Sequence, residues 1–394
     1  MLRDASADPP PPPPAPGARR QAAAPLRRVQ EALLRWQPLV AVGLLGYDLG
    51  RSIERLPPLP RPDDLGVAAV DLGAYDALYQ HDAESGRAAI LATDRAAAER
   101  LARRLAAPAP AAPLKAPRLS PASFETSDEL YRRRVRRIQE HLQAGDCYQV
   151  NLCHRLRAQV TEPLGLYLRL RQLAPAPLGA FLRLHEDLWL LTNSPERLLA
   201  YDLTPGAGRL ETRPIKGTRR RGRDADEDAA LALALLGSAK DQAEHLMIVD
   251  LLRNDLGRVA QVGSVRADPR PRCVALPTVH HLISTVTATP AAEVDLADVL
   301  TALLPGGSIT GAPKVRAMTI IDALEPRRRG PFYGALGWMT ATRGDLSLCI
   351  RTAVVRGTEL TLAVGGGVVL DSTPDEELAE TQVKAAAFLR ALSG

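Results

Sequence analysis

Short apolar runs and amphipathic stretches follow one another along the chain without a single period. Residues 27–36 carry apolar positions at helical spacing, and residues 39–47 are apolar and glycine-punctuated, predicting a helix and then a strand. Residues 67–79 and 88–93 predict further strand regions. Residues 94–105 form an alanine-rich amphipathic helix with Asp94 suited to its N-terminal end. Residues 127–144 predict a helix with Asp128 and Glu129 in its first turn and Gly145 just past its end. Residues 148–152 read as a short strand, 164–173 as a helix, and 179–184 with 188–192 as paired strands turning at His185-Glu186-Asp187. Helices are expected over 224–236, 240–254, 298–304, 314–324 and 374–392, and apolar strands over 334–342, 346–355 and 359–364. Because strands and helices mix without strict βαβ alternation, an α+β layered domain is favoured over a doubly wound one.

Composition sets the class. The 394 residues are 46% hydrophobic and 24% charged, ordinary for a soluble globular protein with a large core. An unbroken proline run, residues 9–14, makes residues 1–26 an extended tail. A second proline-rich stretch, 56–62, reads as a linker, and the Ala/Pro segment 106–117 separates an N-terminal portion, 27–117, from a main domain, 118–394. The formal charge of +5 raises the question of nucleic acid, but aromatics are 4% and do not interleave with the arginine clusters, so a stacking platform is not expected. Attraction for a small anionic substrate fits the charge equally well. The cysteines, Cys147, Cys153, Cys273 and Cys349, form no metal-ligand spacing and read as reduced thiols. There is no secretory pattern, and the early apolar run 39–45 is too short to cross a bilayer, so a cytoplasmic protein without membrane contact is expected.

Candidate chemistry gathers around Glu211-Thr212-Arg213-Pro214-Ile215-Lys216-Gly217-Thr218. Arg213 and the run Arg219-Arg220-Arg221 flank Lys216, and cationic neighbours ease loss of its proton and so favour a nucleophilic amine. A surface lysine at a strand end is the plainer alternative. Two helices carry carboxylates three apart and hence on one face, Asp241 with Glu244 and Glu377 with Glu380. Such pairs are common as solvated helix starts, but Glu244 precedes an apolar run, and carboxylates of this kind hold magnesium together with substrate oxygens. The loop 305–314 is glycine-rich and enters a helix, yet Ala312-Pro313 stands between Gly311 and Lys314 and breaks phosphate-loop spacing. Gly365-Gly366-Gly367 allows close backbone approach or marks a bulge. Arg351 lies among apolar neighbours and needs a carboxylate from the protein or a ligand. His280-His281 reads as packed core as readily as catalytic. Glu196 ends a strand in an apolar setting, where it is either a general acid with a raised pKa or a partner of Arg197.

Five stretches in order, Ser194 to Arg197, Thr212 to Thr218, Ala243 to Gly257, Pro305 to Met318 and Gly365 to Glu380, together resemble the chorismate-utilising enzymes, and residues 43–51 resemble the family's N-terminal part. The resemblance implies an α/β sandwich of two large antiparallel sheets with helices outside and an active site between them. Within the family, Pro-Ile-Lys-Gly-Thr resembles aminodeoxychorismate synthase component I. Anthranilate synthase component I has alanine at the position of Lys216, and isochorismate synthases carry a lysine base where this chain has Gln149. By resemblance, Lys216 attacks the ring, Glu196 is the general acid and His281 is an active-site histidine. Arg351, Tyr333, Ser308, Thr310, Gly366, Gly367 and Thr218 meet the substrate, with Lys314 near by. Magnesium is held by Glu244 and Glu380 with Asp241 and Glu377 behind. The implied reaction is chorismate plus ammonia to 4-amino-4-deoxychorismate. No cysteine lies in a nucleophile motif, so ammonia is expected from a separate glutamine amidotransferase subunit. An anthranilate-forming enzyme and a degenerate chorismate-binding subunit are the alternatives. The family's tryptophan-pocket strands precede the stretch matching residues 44–51, where this chain has its proline-rich segment.

Overall fold

Two antiparallel sheets face each other across one apolar layer, and a computed structural model describes them through residues 23–58, 61–107 and 120–393. The proline run and most of the segment 106–117, including the expected boundary at 117, lie outside the described residues. The larger sheet has eight strands, in the order Arg266–Ala267, Val286–Ala288, Arg209–Arg213, Arg197–Asp202, Arg343–Leu348, Ala335–Met339, Val40–Leu45 and Val70–Tyr75. The second has seven, including Gln149–Gln159, Glu359–Val368, Thr352–Arg356, Leu188–Ser194 and Leu178–His185. A three-stranded sheet of Ile215–Arg220, Val279–Ile283 and Arg272–Ala275 carries the lysine stretch.

The apolar runs explain the layering. In Leu188–Ser194, Leu188 and Leu190 join the core between the sheets while Trp189 and Leu191 face the helices beyond. Thr352–Arg356 does the same, Val354 inward and Ala353 and Val355 outward. A strand buried on both faces reads as a continuous apolar run, because successive side chains point to opposite sides. Outside the seven-stranded sheet, Pro163–Leu173 buries Leu166 and Leu170 and the C-terminal helix Pro374–Leu392 buries Phe388 and Leu392.

The expected α+β sandwich is the observed fold. The N-terminal portion 27–117 is divided: Val40–Leu45 pairs with Ala335–Met339 inside the large sheet, whereas Ala77–His81 and Ala88–Ala92 form a separate hairpin against the helix Arg95–Ala106. The expected strand 346–355 is two strands in different sheets, broken at Arg351, whose backbone is left-handed at φ 49°. The expected short strand 148–152 is the first part of Gln149–Gln159. Gly365-Gly366-Gly367 continues Glu359–Val368 in register rather than forming a bulge. Among the described residues no helix is long and apolar enough to cross a membrane.

Candidate active site

Gly217 adopts φ 85° and shifts the pairing of Ile215–Arg220 with Val279–Ile283 between Lys216 and Thr218. A left-handed residue at a bulge favours glycine. Both flanking residues line an inner cavity of about 120 Å³, with Glu196, His281, Ser308, Tyr333, Arg351, Gly365, Gly367 and Glu380. This cavity opens beside a larger one of about 580 Å³, whose walls include Asp241, Glu244, Glu377, Glu380 and Lys384.

The Lys216 Nζ lies 2.7 Å from Glu244 Oε2. Burial pulls its pKa down, but Glu244 and Glu380 outweigh that and hold it above the ordinary lysine value. The expected cationic push on Lys216 is therefore absent. Arg213 pairs with Glu211, Arg219 with Asp241, Arg220 with Glu227 and Arg221 with Asp228, so each positive charge is spent on a nearby carboxylate. The contact with Glu244 favours the ammonium form of Lys216.

Glu196 is buried and its pKa is raised to about 7 by desolvation, against the lowering influence of a 3.0 Å hydrogen bond donated by the Ser308 hydroxyl and of the Ile215 backbone amide. Its neighbour Arg197 turns away, to Asp345 at 2.9 Å and Glu211 at 3.1 Å. The alternative of a Glu196–Arg197 pair is thereby removed. His281 lies on Val279–Ile283, with Nδ1 3.3 Å from the Gly217 carbonyl and 3.0 Å from the Thr218 hydroxyl. A carbonyl only accepts, so Nδ1 carries the proton and Nε2, buried without a protein partner, presents a lone pair. Burial holds this imidazole neutral, its pKa lowered to about 4.

Arg351 and Tyr333 are the only non-glycine residues at positive φ among the described ones, and both line the inner cavity. Such backbone persists where the surroundings impose it, and it clusters at ligand sites. Arg351 forms no salt bridge with a described residue; burial lowers its pKa and only the field of Glu196 opposes this. The guanidinium expected to meet a carboxylate has none from the protein, which leaves its fork for an anionic ligand.

Two expected contacts lie elsewhere. The Thr310 hydroxyl is fully buried and donates to the Gly306 carbonyl at 2.9 Å, closing its own turn. Lys314 turns from the cavity, with Nζ 3.1 Å from Asp255 Oδ2. Its helix starts only after Pro313, so the lysine points across to the helix Ala239–Gly257 and not to the loop. Gly366 touches the site from behind: a Cβ there would sit 2.7 Å from Glu377 Oε2.

The four carboxylates sit on two helices whose starts are capped, Ala239–Gly257 by Ser238 and Pro374–Leu392 by Thr373. Among the described residues no group of three potential ligands is drawn together as a metal cage. Glu244 is held by Lys216, Asp241 by Arg219 and Glu380 by Lys384 at 2.5 Å. Glu377 differs: Oε1 accepts from Ser372, while Oε2 is buried without a protein partner. Burial, then Glu380, raise its pKa. A buried carboxylate oxygen in an acidic corner is suited to a divalent cation.

Sequence reasoning missed Lys384 and Asn151, which also line the inner cavity. Lys384 stands one helical turn after Glu380 and donates to the Gly365 carbonyl at 2.7 Å, so its signal was the i,i+4 spacing. Asn151 faces Gly367 across the strand pair, a relationship only the register reveals.

Comparison with known proteins agrees with this architecture. The chorismate binding enzyme family matches residues 11–390. Aminodeoxychorismate synthase component 1 of Escherichia coli (strain K12) is 40% identical over 362 residues, covering 89% of this chain and 76% of that protein. Anthranilate synthase component 1 of Thermus thermophilus is 39% identical over 360 residues, covering 89% and 77%. The crystal structure of anthranilate synthase component I from Streptococcus pneumoniae TIGR4 superposes with a TM-score of 0.81 at 29% identity, covering 94% of this chain and 86% of that one. With sheets, cavity and family match in agreement, the chain belongs to the chorismate binding enzymes.

Proposed function

We propose that this enzyme converts chorismate and ammonia to 4-amino-4-deoxychorismate through a covalent intermediate on Lys216. The observation that carries the reading is an amine and a protonatable carboxyl in one cavity: Lys216 and Glu196 both line it, and the pKa of Glu196 is raised to about 7. The aminodeoxychorismate synthase relative supports it, and the equally similar anthranilate synthase is why the lysine must decide between them.

In this reading Arg351 binds a substrate carboxylate with its unpaired guanidinium. Glu196 protonates the departing 4-hydroxyl, which leaves as water, while the neutral Lys216 amine forms a bond to carbon 2. Ammonia then bonds to carbon 4 as the lysine nitrogen departs with its electron pair. Splitting one displacement into two is the advantage of covalent catalysis. Lys216 must shed the proton that Glu244 stabilises before it can attack. His281 offers its Nε2 lone pair toward the ring. Magnesium would be held by Glu244 and Glu380, with Asp241 and Glu377 behind, and when bound would neutralise the ring carboxylate; the buried, unpartnered Glu377 oxygen supports a cation in this corner. Ammonia comes from a separate glutamine amidotransferase subunit or from ammonium in solution.

Mass spectrometry of the product formed from chorismate, magnesium and ammonium tests this. 4-Amino-4-deoxychorismate is expected; anthranilate with pyruvate would contradict it and favour the anthranilate-forming alternative.

A further inference from the structure

Arg329 is 3% exposed and stands behind the wall of the inner cavity, yet it holds several residues that form that wall. Its guanidinium donates to both Glu325 oxygens, at 2.9 and 2.7 Å, and to the backbone carbonyls of Ile309 at 2.9 Å and Asn151 at 2.8 Å. The guanidinium carbon also lies 4.7 Å from the Tyr47 ring centre and 4.6 Å from that of Tyr333, within cation–π range. Glu325 is equally buried, and its Oε1 accepts the Cys153 backbone amide at 3.0 Å. Asn151, Ser308, Ile309 and Tyr333 all line the cavity with Lys216 and Glu196.

A buried ion pair adds little net stability over apolar residues of the same size, because desolvating two charges offsets their attraction. What this pair supplies is direction, since a planar fork fixes each acceptor it binds. The turn Gly307–Ile309 is closed from within by the Thr310 hydroxyl on the Gly306 carbonyl, which fixes its shape but not its place. Its place is set from outside, by Arg329 on the Ile309 carbonyl and by the Asn151 amide on the Thr310 carbonyl at 2.9 Å. Because Arg329 also holds the Asn151 carbonyl, one side chain ties the turn to the strand Gln149–Gln159. That turn carries Ser308, whose hydroxyl meets Glu196 at 3.0 Å. Tyr333, left-handed at φ 63°, is a third wall residue on the same cation.

We infer that Arg329, braced by Glu325, is a positioning residue that sets the Ser308 hydroxyl against Glu196 and the Tyr333 ring against the cavity. The inference rests on the reading of Glu196 as the general acid. Arg329 touches no reacting atom and acts through the residues it holds. Without its fork the turn shifts against the strand and the Ser308–Glu196 bond is lost. Glu196 then keeps its proton to higher pH, because that bond favours the ionised carboxylate. Lys216, Lys384 and Arg351 face Glu196, and His281 and Glu380 share the cavity wall; none of them bonds to Arg329, so each stays in place.

The full chain carrying Glu325→Gln together with Arg329→Met tests this, because removing both charges strands neither, and the new amide can still accept from Cys153. A crystal structure of the double variant should show Ser308 Oγ beyond about 3.5 Å from Glu196. An intact bond overturns the inference whatever the product of the reaction. In kinetics with chorismate, magnesium and ammonium chloride, the alkaline limb of kcat/KM should move up by about one pH unit, as in Ser308→Ala, and adding Ser308→Ala to the double variant should move it no further. A full second shift overturns the inference. Should the double variant fail to fold, Arg329→Lys, which keeps the charge beside Glu325 but cannot fork to both carbonyls, is held to the same outcomes. If Ser308→Ala leaves the limb of the unmodified enzyme in place, the reading of Glu196 fails, and the crystal structure alone decides this inference.

Discussion

Lys216 Nζ and Glu244 Oε2 stand 2.7 Å apart at the junction of the inner and outer cavities, so the candidate nucleophile and a candidate magnesium ligand hold each other. Each can begin its proposed work only once that pair opens. Glu244→Gln should reduce magnesium affinity about tenfold or more, because a neutral amide is a poorer ligand for a hard cation. Calorimetric titration of magnesium checks this, and unchanged affinity would remove Glu244 from the ligand set.

The pH response follows from Glu196. Its raised pKa keeps it protonated below about 7 and ionised above, so as a general acid it should give a kcat/KM that falls as pH rises through that value. The Ser308 hydrogen bond favours the ionised form. Ser308→Ala should therefore move the alkaline limb upward by about one pH unit. A limb that moves down, or does not move, contradicts the assignment.

How far such chemistry was legible in the sequence depended on whether its cause was local. The C-terminal helix Pro374–Leu392 was read at its observed bounds because its threonine cap, N1 proline and apolar spacing are all within it. Arg197–Asp202, Arg209–Arg213 and Ile215–Arg220 were not read as strands, because their charged residues mask the alternation and pair across the sheet, as Arg197 does with Asp345. The break at Arg351 was invisible for the opposite reason: apolar residues continue through it while the chain changes sheets. The state of Lys216 was not legible because the carboxylates that hold its proton, Glu244 and Glu380, are distant in sequence, as is Asp241, the partner of the adjacent Arg219.

Lys314 gives a test of the correction to its role. Its buried pair with Asp255 is structural, so Lys314→Met should destabilise the protein by about 2 kcal/mol, leaving Asp255 with Arg258 as its remaining partner. The chorismate KM of the folded variant should not change. Thermal unfolding and kinetics together check this, and a raised KM with unchanged Tm would return Lys314 to the substrate site.

Arg351 should behave in the reverse manner. Arg351→Ala removes a charged fork with no protein partner, so kcat/KM for chorismate should fall about 100-fold, with stability little affected. Stability loss at unchanged kcat/KM would show that the arginine serves the fold.

The central claim is that the Lys216 amine is the nucleophile. The most direct measurement is formation of 4-amino-4-deoxychorismate by Lys216→Ala, with chorismate binding to the same folded variant followed by calorimetry. The account predicts a loss of about 10³-fold or more in turnover while chorismate still binds. Turnover within about tenfold of the unmodified enzyme would contradict it.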